Sequence, residues 1–176
     1  MRILPVLVLS SLVSLSGCAA ADRFAQPSYK VVASSSESQP RWLAATTSED
    51  AGFMFFVGRA DGVRDLSACE NQAEAQVRTV IRGELRERLR REFEASYGKT
   101  LAGKREAFDK ALASSLAELA LDGITPVERY WERLEIPVDD GVTYAYRMAL
   151  LVRIPKARFE ATRAQTYQKV ASKVGF

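Results

Sequence analysis

Apolar and polar side chains alternate most clearly over positions 142–154. The apolar members of the alternation would share one face of an extended chain: Val142, Tyr144, Tyr146, Met148, Leu150, Val152 and Ile154. Because every second side chain of a strand points to the same side, this pattern predicts a half-buried β-strand that Pro155 ends. An aromatic-rich apolar run at 53–60 predicts a buried strand before a turn at 61–62, and residues 124–136 predict another strand.

Between positions 65 and 97 the apolar residues recur every four positions, which predicts a long helix. They are Ala73, Val77, Ile81, Leu85, Leu89, Phe93 and Tyr97. Since a helix turns every 3.6 residues, each four-residue step moves this stripe by about 40°, or roughly 240° over six steps. A flat sheet can contact only the first half of such a stripe. We expect an amphipathic second helix at 104–121 to cover the other half, and 156–172 to form a closing helix.

Together these elements predict an α+β fold, in which helices cover a small antiparallel sheet of about three strands and a helical hairpin is inserted. In the hairpin, Phe108 and Leu112 of the second helix are expected to pack against Leu89 and Phe93 of the first. Residues 40–176 form a single domain in this interpretation.

The beginning of the chain has the pattern of an export signal. Arg2 supplies a positive charge, and the apolar run after it is shorter than the roughly 20 residues that span a bilayer. The segment ends in Leu15-Ser16-Gly17-Cys18, the lipobox pattern of an apolar residue and two small residues before a cysteine. Residues 1–17 are therefore predicted to be removed, and Cys18 to carry the lipid. The alternative is an ordinary signal peptide followed by a Cys18–Cys69 disulfide.

A lipidated Cys18 would attach the protein to a membrane without a spanning helix, because two or more acyl chains give stable anchoring. Ala19 follows the cysteine, which by analogy with enterobacterial sorting favours the outer membrane, with the domain in the periplasm. Residues 18–39 are predicted to be a lipidated flexible tether, since their small and polar composition has neither helical nor strand periodicity.

The composition argues against several kinds of chemistry. The formal net charge of +3, together with export, argues against nucleic acid as a partner. The chain has no histidine and two cysteines, which excludes histidine-based nucleophilic catalysis, imidazole zinc sites and a CxxC redox pair in the mature domain. No catalytic residue, metal or cofactor is predicted. Asp139-Asp140 is the tightest carboxylate pair, but its position beside Gly141 between two strands is typical of a turn.

Three features are candidates for binding, and each has a structural alternative. Arg82, Arg86 and Arg90 of the long helix are candidates for an anionic surface, although interleaved glutamates favour a solvated charged face. Cys69, near the helix start, is either a reactive thiol or a small buried residue. Aromatic residues of the two later strands either line a ligand groove or pack within the fold. These aromatic residues are Tyr130, Trp131, Tyr144 and Tyr146.

Short motifs occur here in an order known from one family. Pro40-Arg41-Trp42 precedes the strand Phe55-Phe56-Val57-Gly58-Arg59-Ala60, and the Ala-rich helix contains Cys69-Glu-Asn-Gln-Ala-Glu-Ala. Val127-Glu-Arg-Tyr-Trp and then Tyr144-Ala-Tyr-Arg-Met-Ala-Leu-Leu-Val follow. Over about residues 40–160 the chain resembles the bacterial lipoprotein family named for the Helicobacter 20-kilodalton membrane-associated antigen. It is also similar to the N-terminal domain of a flagellar T-ring assembly protein.

The resemblance implies a compact α+β domain, no enzyme activity and no catalytic residues, and the segment around 98–123 looks longer than is usual in the family. We expect a non-enzymatic outer-membrane lipoprotein that acts as a protein-interaction or assembly module of the cell envelope. The alternative is a binding module for a small ligand, an anionic glycan or a lipid headgroup. A concave pocket with convergent polar groups would favour ligand binding, and an exposed apolar patch would favour assembly. The envelope partner, any flagellar association and the oligomeric state stay open.

Overall fold

The computed structural model describes residues 29–97 and 103–175. The strands are β1 (Lys30–Ser34), β2 (Thr47–Glu49), β3 (Phe53–Val63), β4 (Thr125–Val138) and β5 (Gly141–Pro155). The helices are α1 (Leu66–Tyr97), α2 (Arg105–Ala117) and α3 (Lys156–Val174), and a 3-10 helix (Arg41–Ala44) lies between β1 and β2. The predicted signal, Cys18 and the first part of the predicted tether lie outside the described residues. Within the described residues, no helix has the length and apolarity needed to cross a membrane.

The five strands form one antiparallel sheet in the order β1-β4-β5-β3-β2. The α+β class agrees with the sequence prediction, but the expected number of about three strands is wrong. The three strands predicted from the sequence are the central β4, β5 and β3. The two edge strands were missed because β1 has five exposed residues and β2 has only three residues, so neither carries a buried alternating face.

β1 also corrects the predicted domain boundary. Lys30–Ser34 falls in the segment assigned to a flexible tether, yet it pairs with β4, with Lys30 opposite Glu135. Ser35 extends the contact: its N–H donates to the Trp131 carbonyl oxygen at 2.9 Å, and its Oγ accepts from the Trp131 N–H at 3.0 Å. Backbone hydrogen bonds to a distant strand hold this segment, and such bonds leave no periodicity in the sequence. The folded domain therefore begins before residue 40.

The helices cover one face of the sheet, and the main core lies between them. From β5 the core receives Met148, Leu150, Val152 and Ile154, as the alternation predicts. Val142 and Tyr144 belong to the same alternating set but are exposed. The strand prediction is confirmed, while its apolar face is fully buried only in the second half, because the β4–β5 hairpin extends past the helices.

Gly58 permits the close approach of α1 to β3. A Cβ atom at this position would lie 2.2 Å from the carbonyl oxygen of Ala73 and 2.4 Å from Cγ2 of Val77. Without a side chain, the strand can contact the helix backbone directly. β3 then continues through the predicted turn at 61–62, where Gly62 has a φ of 74° and the register with β5 shifts before Val63. The predicted turn is therefore an irregularity within a longer strand.

The four-residue stripe of α1 is buried as far as Phe93, as its spacing predicts. Near the end of the helix the rings of Phe93 and Phe108 of α2 stack, with centroids 4.2 Å apart. The stacked rings confirm the expected contact between Phe93 and Phe108, and Leu89 and Leu112 belong to the same buried cluster. α2 packs even more extensively against α3 than against α1. Residues 98–102, where the sequence predicts a break between the helices, lie outside the described residues.

Candidate functional site

The sheet face opposite the helices carries the candidate site. The segment between β1 and β2 folds back over this face, where Trp42 and Leu43 pack on a small apolar cluster formed by Val57, Ala149 and Leu151. We call this segment, residues 35–46, the cover, and Arg59 of β3 holds it against the sheet. Its Nη2 donates hydrogen bonds to the carbonyl oxygen of Leu43 at 2.7 Å and to that of Ala45 at 2.9 Å.

Beside the cover, three strands place polar side chains in two adjacent rows. The register aligns Arg59 of β3, Ala149 of β5 and Tyr130 of β4 in the first row. It aligns Arg147 of β5 with Glu132 of β4 in the second row. Directly opposed residues of neighbouring strands share a face, so these side chains converge on one region of the surface.

A cavity of about 340 Å³ opens between these rows and the cover, and we call it the Glu132 pocket. Its walls include Leu43, Arg59, Asp61, Tyr130, Arg147 and Ala149, with Gln39 and Glu132 beside them. Ala149 has the smallest side chain of the two rows and stands between Arg59 and Tyr130. The hollow therefore arises where a short side chain separates two long ones.

Glu132 is the centre of a hydrogen-bond cluster in the pocket, with only 4% of its surface exposed. The Tyr130 hydroxyl donates to its Oε1 at 2.7 Å, and Nε2 of Gln39 donates to the same oxygen at 3.1 Å. Nε of Arg147 lies 3.1 Å from Oε2. That N–H is not directed at the oxygen in hydrogen-bond geometry, so the contact is an ion pair. A buried carboxylate needs such partners, because the loss of hydration is costly when it is not compensated.

The surroundings of the pocket shift the pKa of two side chains. Burial, and then the hydrogen bond to Glu132, raises the pKa of the Tyr130 hydroxyl above its ordinary 10.0. Burial by itself would lower the pKa of Arg147, but Tyr29, Glu132 and Asp61 raise it on balance. Cζ of Arg147 also lies 4.9 Å from the centroid of the Tyr29 ring. At neutral pH, Tyr130 is thus a hydrogen-bond donor and Arg147 a cation.

The four charged side chains of the pocket carry a formal sum of zero: Arg59 and Arg147 are cationic, and Asp61 and Glu132 are anionic. These four side chains differ in whether they have hydrogen-bond or ion-pair partners. Glu132 and Arg147 pair with each other, whereas no hydrogen bond or ion pair is recorded for Asp61 among the described residues. Arg59 uses only Nη2 in the bonds to the cover, and its Nε–H and Nη1–H groups have no recorded partner in the same part of the chain. The pocket therefore offers one cationic and one anionic group to a ligand.

The candidate arginines of α1 do not line the Glu132 pocket. Nη2 of Arg82 donates to the carbonyl oxygen of Leu119 at 3.2 Å. Arg90 pairs with Asp109 of α2 at 2.8 Å. Arg86 is exposed on the same side of the helix. Two of the three are therefore engaged in contacts with α2 or with Leu119, two residues beyond its end, and binding of an anionic surface by this set stays a prediction.

The other sequence candidates are dispersed over the fold. Cys69 is fully buried, and burial, then the charge of Asp61, raises the pKa of its thiol, so the interpretation as a small buried residue is supported. Asp139 and Asp140 are exposed in the turn between β4 and β5. Of the four aromatic candidates, Tyr130 alone is among the pocket-lining residues.

The remaining aromatic residues lie on the opposite side of the sheet. Trp131 and Tyr146 pack edge to face against the main core, with ring centroids 6.1 Å apart. Tyr144 is exposed, and its hydroxyl donates to Glu135 at 3.1 Å. Trp131 and Tyr146 therefore pack within the fold and do not line a ligand groove.

The charged members of the pocket were not predicted from the sequence. One signal was present in β4, where alternate residues Tyr130, Glu132 and Leu134 are all buried. A carboxylate in the buried half of an alternating strand is unusual and points to a polar cluster. No comparable signal distinguishes Arg59 or Asp61, because each could equally be a surface residue of a strand.

Comparisons of the chain with protein-family models, with curated proteins and with solved structures returned no significant match. The family resemblance inferred from sequence motifs therefore stays a prediction. Among the described residues, no group of three or more histidine, cysteine, aspartate or glutamate side chains is arranged to hold a metal ion.

Proposed function

We propose that the protein is a lipid-anchored envelope protein that binds a small polar ligand in the Glu132 pocket and does not turn it over. The observation that carries this proposal is the buried Glu132 carboxylate, held by three partners at the wall of a cavity of about 340 Å³. A well-formed pocket with an apolar part and a few convergent polar groups is the general form of a small-molecule site.

The arrangement favours binding over catalysis. The oxygens of Glu132 are engaged by Tyr130, Gln39 and Arg147, which fixes the carboxylate in position instead of leaving it to exchange a proton with a substrate. The sequence contains no histidine. Cys69 is buried in the core of the other sheet face, where its raised pKa disfavours the nucleophilic thiolate.

A screen of small solutes by thermal unfolding tests the proposal, since a ligand that binds only the folded state raises the melting temperature. Ala149→Leu directs extra methyl groups toward the hollow and should remove the shift. Ala164→Leu, on the exposed side of α3, is the matched control and should retain it. If no solute stabilises the wild-type protein more than the Ala149→Leu variant, the pocket is not a ligand site.

An assembly function is the second candidate, and the exposed apolar side chains favour it. Seven large apolar side chains are exposed in the described part of the chain, and six of them lie at the end of the sheet formed by β1 and the β4–β5 hairpin. These six, the hairpin-end patch, are Tyr29, Val31, Val32, Val138, Val142 and Tyr144. They lie on both faces at this end of the sheet, with Tyr29 on the pocket side and Tyr144 on the helix side, and exposed apolar side chains of this kind are typical of a contact surface for another protein.

The hairpin-end patch can be tested with a charge substitution. Val142→Asp places a charge within the patch, whereas Val127→Asp places the same charge on the seventh exposed apolar residue, away from it. An assembly function predicts that Val142→Asp alone removes crosslinking to envelope proteins in intact membranes. Equal crosslinking by the two variants would rule out the patch as the contact surface.

The proposed anchor is tested separately at Cys18. We expect metabolic labelling with radioactive palmitate to mark the wild-type protein, and Cys18→Ser to abolish the label and release the domain from the membrane fraction. Retention of the label in Cys18→Ser would place the lipid elsewhere and contradict the anchor. Neither outcome depends on the pocket, so anchoring and ligand binding can fail independently.

A further inference from the structure

We propose that the Glu132 pocket recognises a zwitterion, a small amino-acid-like or short-peptide molecule that carries a free carboxylate and a free ammonium group. This inference rests on the proposed ligand-binding function and names the chemical class of the ligand. It follows from which charges of the pocket are already neutralised by the protein and which are not.

The cationic half of the site is Arg59. The bonds from Nη2 to the carbonyl oxygens of Leu43 and Ala45 hold its guanidinium in a fixed orientation. Its Nε–H and Nη1–H groups point to different sides of the guanidinium and have no recorded partner, so each can donate a charge-assisted hydrogen bond to a carboxylate oxygen. Arg147 lies on the neighbouring strand of the same pocket and adds positive potential. A ligand carboxylate is therefore expected at the Nε–H or Nη1–H of Arg59.

The anionic half of the site is Asp61. It follows Arg59 by two residues on β3, a spacing of roughly 7 Å along a strand. Both side chains line the same cavity, yet no ion pair between them is recorded. The charged groups of Arg59 and Asp61 can approach each other from that distance. A molecule with opposite charges a few bonds apart can therefore contact both side chains. A ligand ammonium group is expected at Asp61.

Charge balance separates the zwitterion from simpler ligands. An anion without an ammonium group would leave Asp61 without a partner, and a cation without a carboxylate would leave Arg59 without one. Each mismatch leaves one charge of the pocket unpaired when water is displaced, which selects against the wrong ligand. A zwitterion provides a partner for both free groups at once.

Isothermal titration calorimetry with three matched probes tests this assignment. Glycylglycine carries both charges, N-acetylglycylglycine lacks the ammonium group, and glycylglycine amide lacks the carboxylate. We expect glycylglycine to bind and each blocked form to bind about 10- to 100-fold more weakly, as the loss of one hydrogen-bonded charge pair implies. Equal affinity for glycylglycine and either blocked form would overturn the assignment.

Two variants connect the specificity to its residues. Asp61→Asn should remove the preference for glycylglycine over its N-acetyl form while leaving the preference over the amide. Arg59→Met should reverse that pattern, since methionine removes the cation that would bind the ligand carboxylate. Asp139→Asn, an equal change of charge in the exposed β4–β5 turn, is the control and should leave all three affinities unchanged. A loss caused equally by Asp61→Asn and Asp139→Asn would show a general charge effect and reject the site.

The test separates failure of the ligand class from failure of the proposed function. If none of the three probes binds but the thermal screen finds a ligand that Ala149→Leu excludes, the pocket is a binding site and the zwitterion assignment is wrong. If the probes fail and the screen also finds no such ligand, both the assignment and the ligand-binding function are wrong.

Discussion

Replacing Arg147 by methionine should destabilise the protein through Glu132. Methionine has a similar length and fills the position of the arginine stem, but it removes the cation 3.1 Å from Oε2 of the carboxylate. Glu132 would then keep its hydrogen bonds from Tyr130 and Gln39, both to Oε1, while Oε2 would lose its partner. The variant therefore isolates what one charge contributes to holding a buried carboxylate.

The magnitude follows from the burial of the two partners. Removing one member of a fully buried ion pair costs about 3–5 kcal/mol, because the other charge is left uncompensated. The side chain of Glu132 is 5% exposed but that of Arg147 is 34% exposed, so solvent already screens the pair in part. We therefore expect Arg147→Met to lower the free energy of unfolding by about 1–3 kcal/mol.

Urea denaturation at neutral pH measures this loss, and a double-mutant cycle assigns it. Glu132→Gln combined with Arg147→Met should cost less than the sum of the two single changes, since the unpaired charge is then absent. Arg153→Met on the same strand and face is the control; its guanidinium contacts the exposed face of Phe53, so we expect a loss below about 1 kcal/mol. A loss under about 0.5 kcal/mol for Arg147→Met would refute the reasoning, because that is typical of an ordinary surface substitution.

Three further predictions concern the fold. Gly58→Ala should lower the free energy of unfolding in urea by about 3 kcal/mol or prevent folding, because the added Cβ meets the backbone of Ala73, which cannot rotate away. A loss below about 1 kcal/mol would contradict the close approach of α1 to β3. Leu89→Ala should cost about 2–5 kcal/mol in the same assay, since Leu89 is fully buried, and a negligible loss would mean an exposed position. The free energy of unfolding should fall as pH rises past the ordinary pKa values of cysteine, 9.0, and tyrosine, 10.0. Burial raises the pKa of Cys69 and Tyr130 in the folded protein, so the unfolded chain loses these protons first. Tyr130→Phe should reduce the later part of that fall, and an identical pH profile would contradict it.

The central elements were predictable because local geometry determines them. The four-residue stripe of α1 and the alternation of β5 each record burial on one side of a regular backbone. Even the rotation of the α1 stripe carried tertiary information, since it required a partner such as α2 near Leu89 and Phe93. The preference of α2 for α3 was not accessible, because one apolar face can pack against either helix.

The edge strands and the pocket were not predictable for a different reason. β1 and β2 are held by backbone hydrogen bonds to strands far away in the sequence, and exposed strands need no side-chain pattern. The pocket depends on the register of β3, β4 and β5, which brings together residues about 15 to 90 positions apart. A single-residue shift of β4 would send Glu132 to the opposite face, and nothing in the alternation of β5 fixes that choice.

Because β1 belongs to the folded domain, fewer residues separate the predicted anchor at Cys18 from the pocket than a tether reaching residue 39 would provide. Two residues assigned from the sequence to the tether approach the pocket: Gln39 donates to Glu132, and Tyr29 lies against Arg147. Only 11 residue steps separate Cys18 from Tyr29, counted as 29 minus 18. Such a length spans at most about 40 Å when fully extended and roughly 18 Å as a flexible chain. If Cys18 carries the lipid, the domain is therefore held close to the membrane surface. From Tyr29 the chain continues through β1 to Gln39, which lines the pocket, so the segment that would lead from the anchor contacts both Arg147 and Glu132.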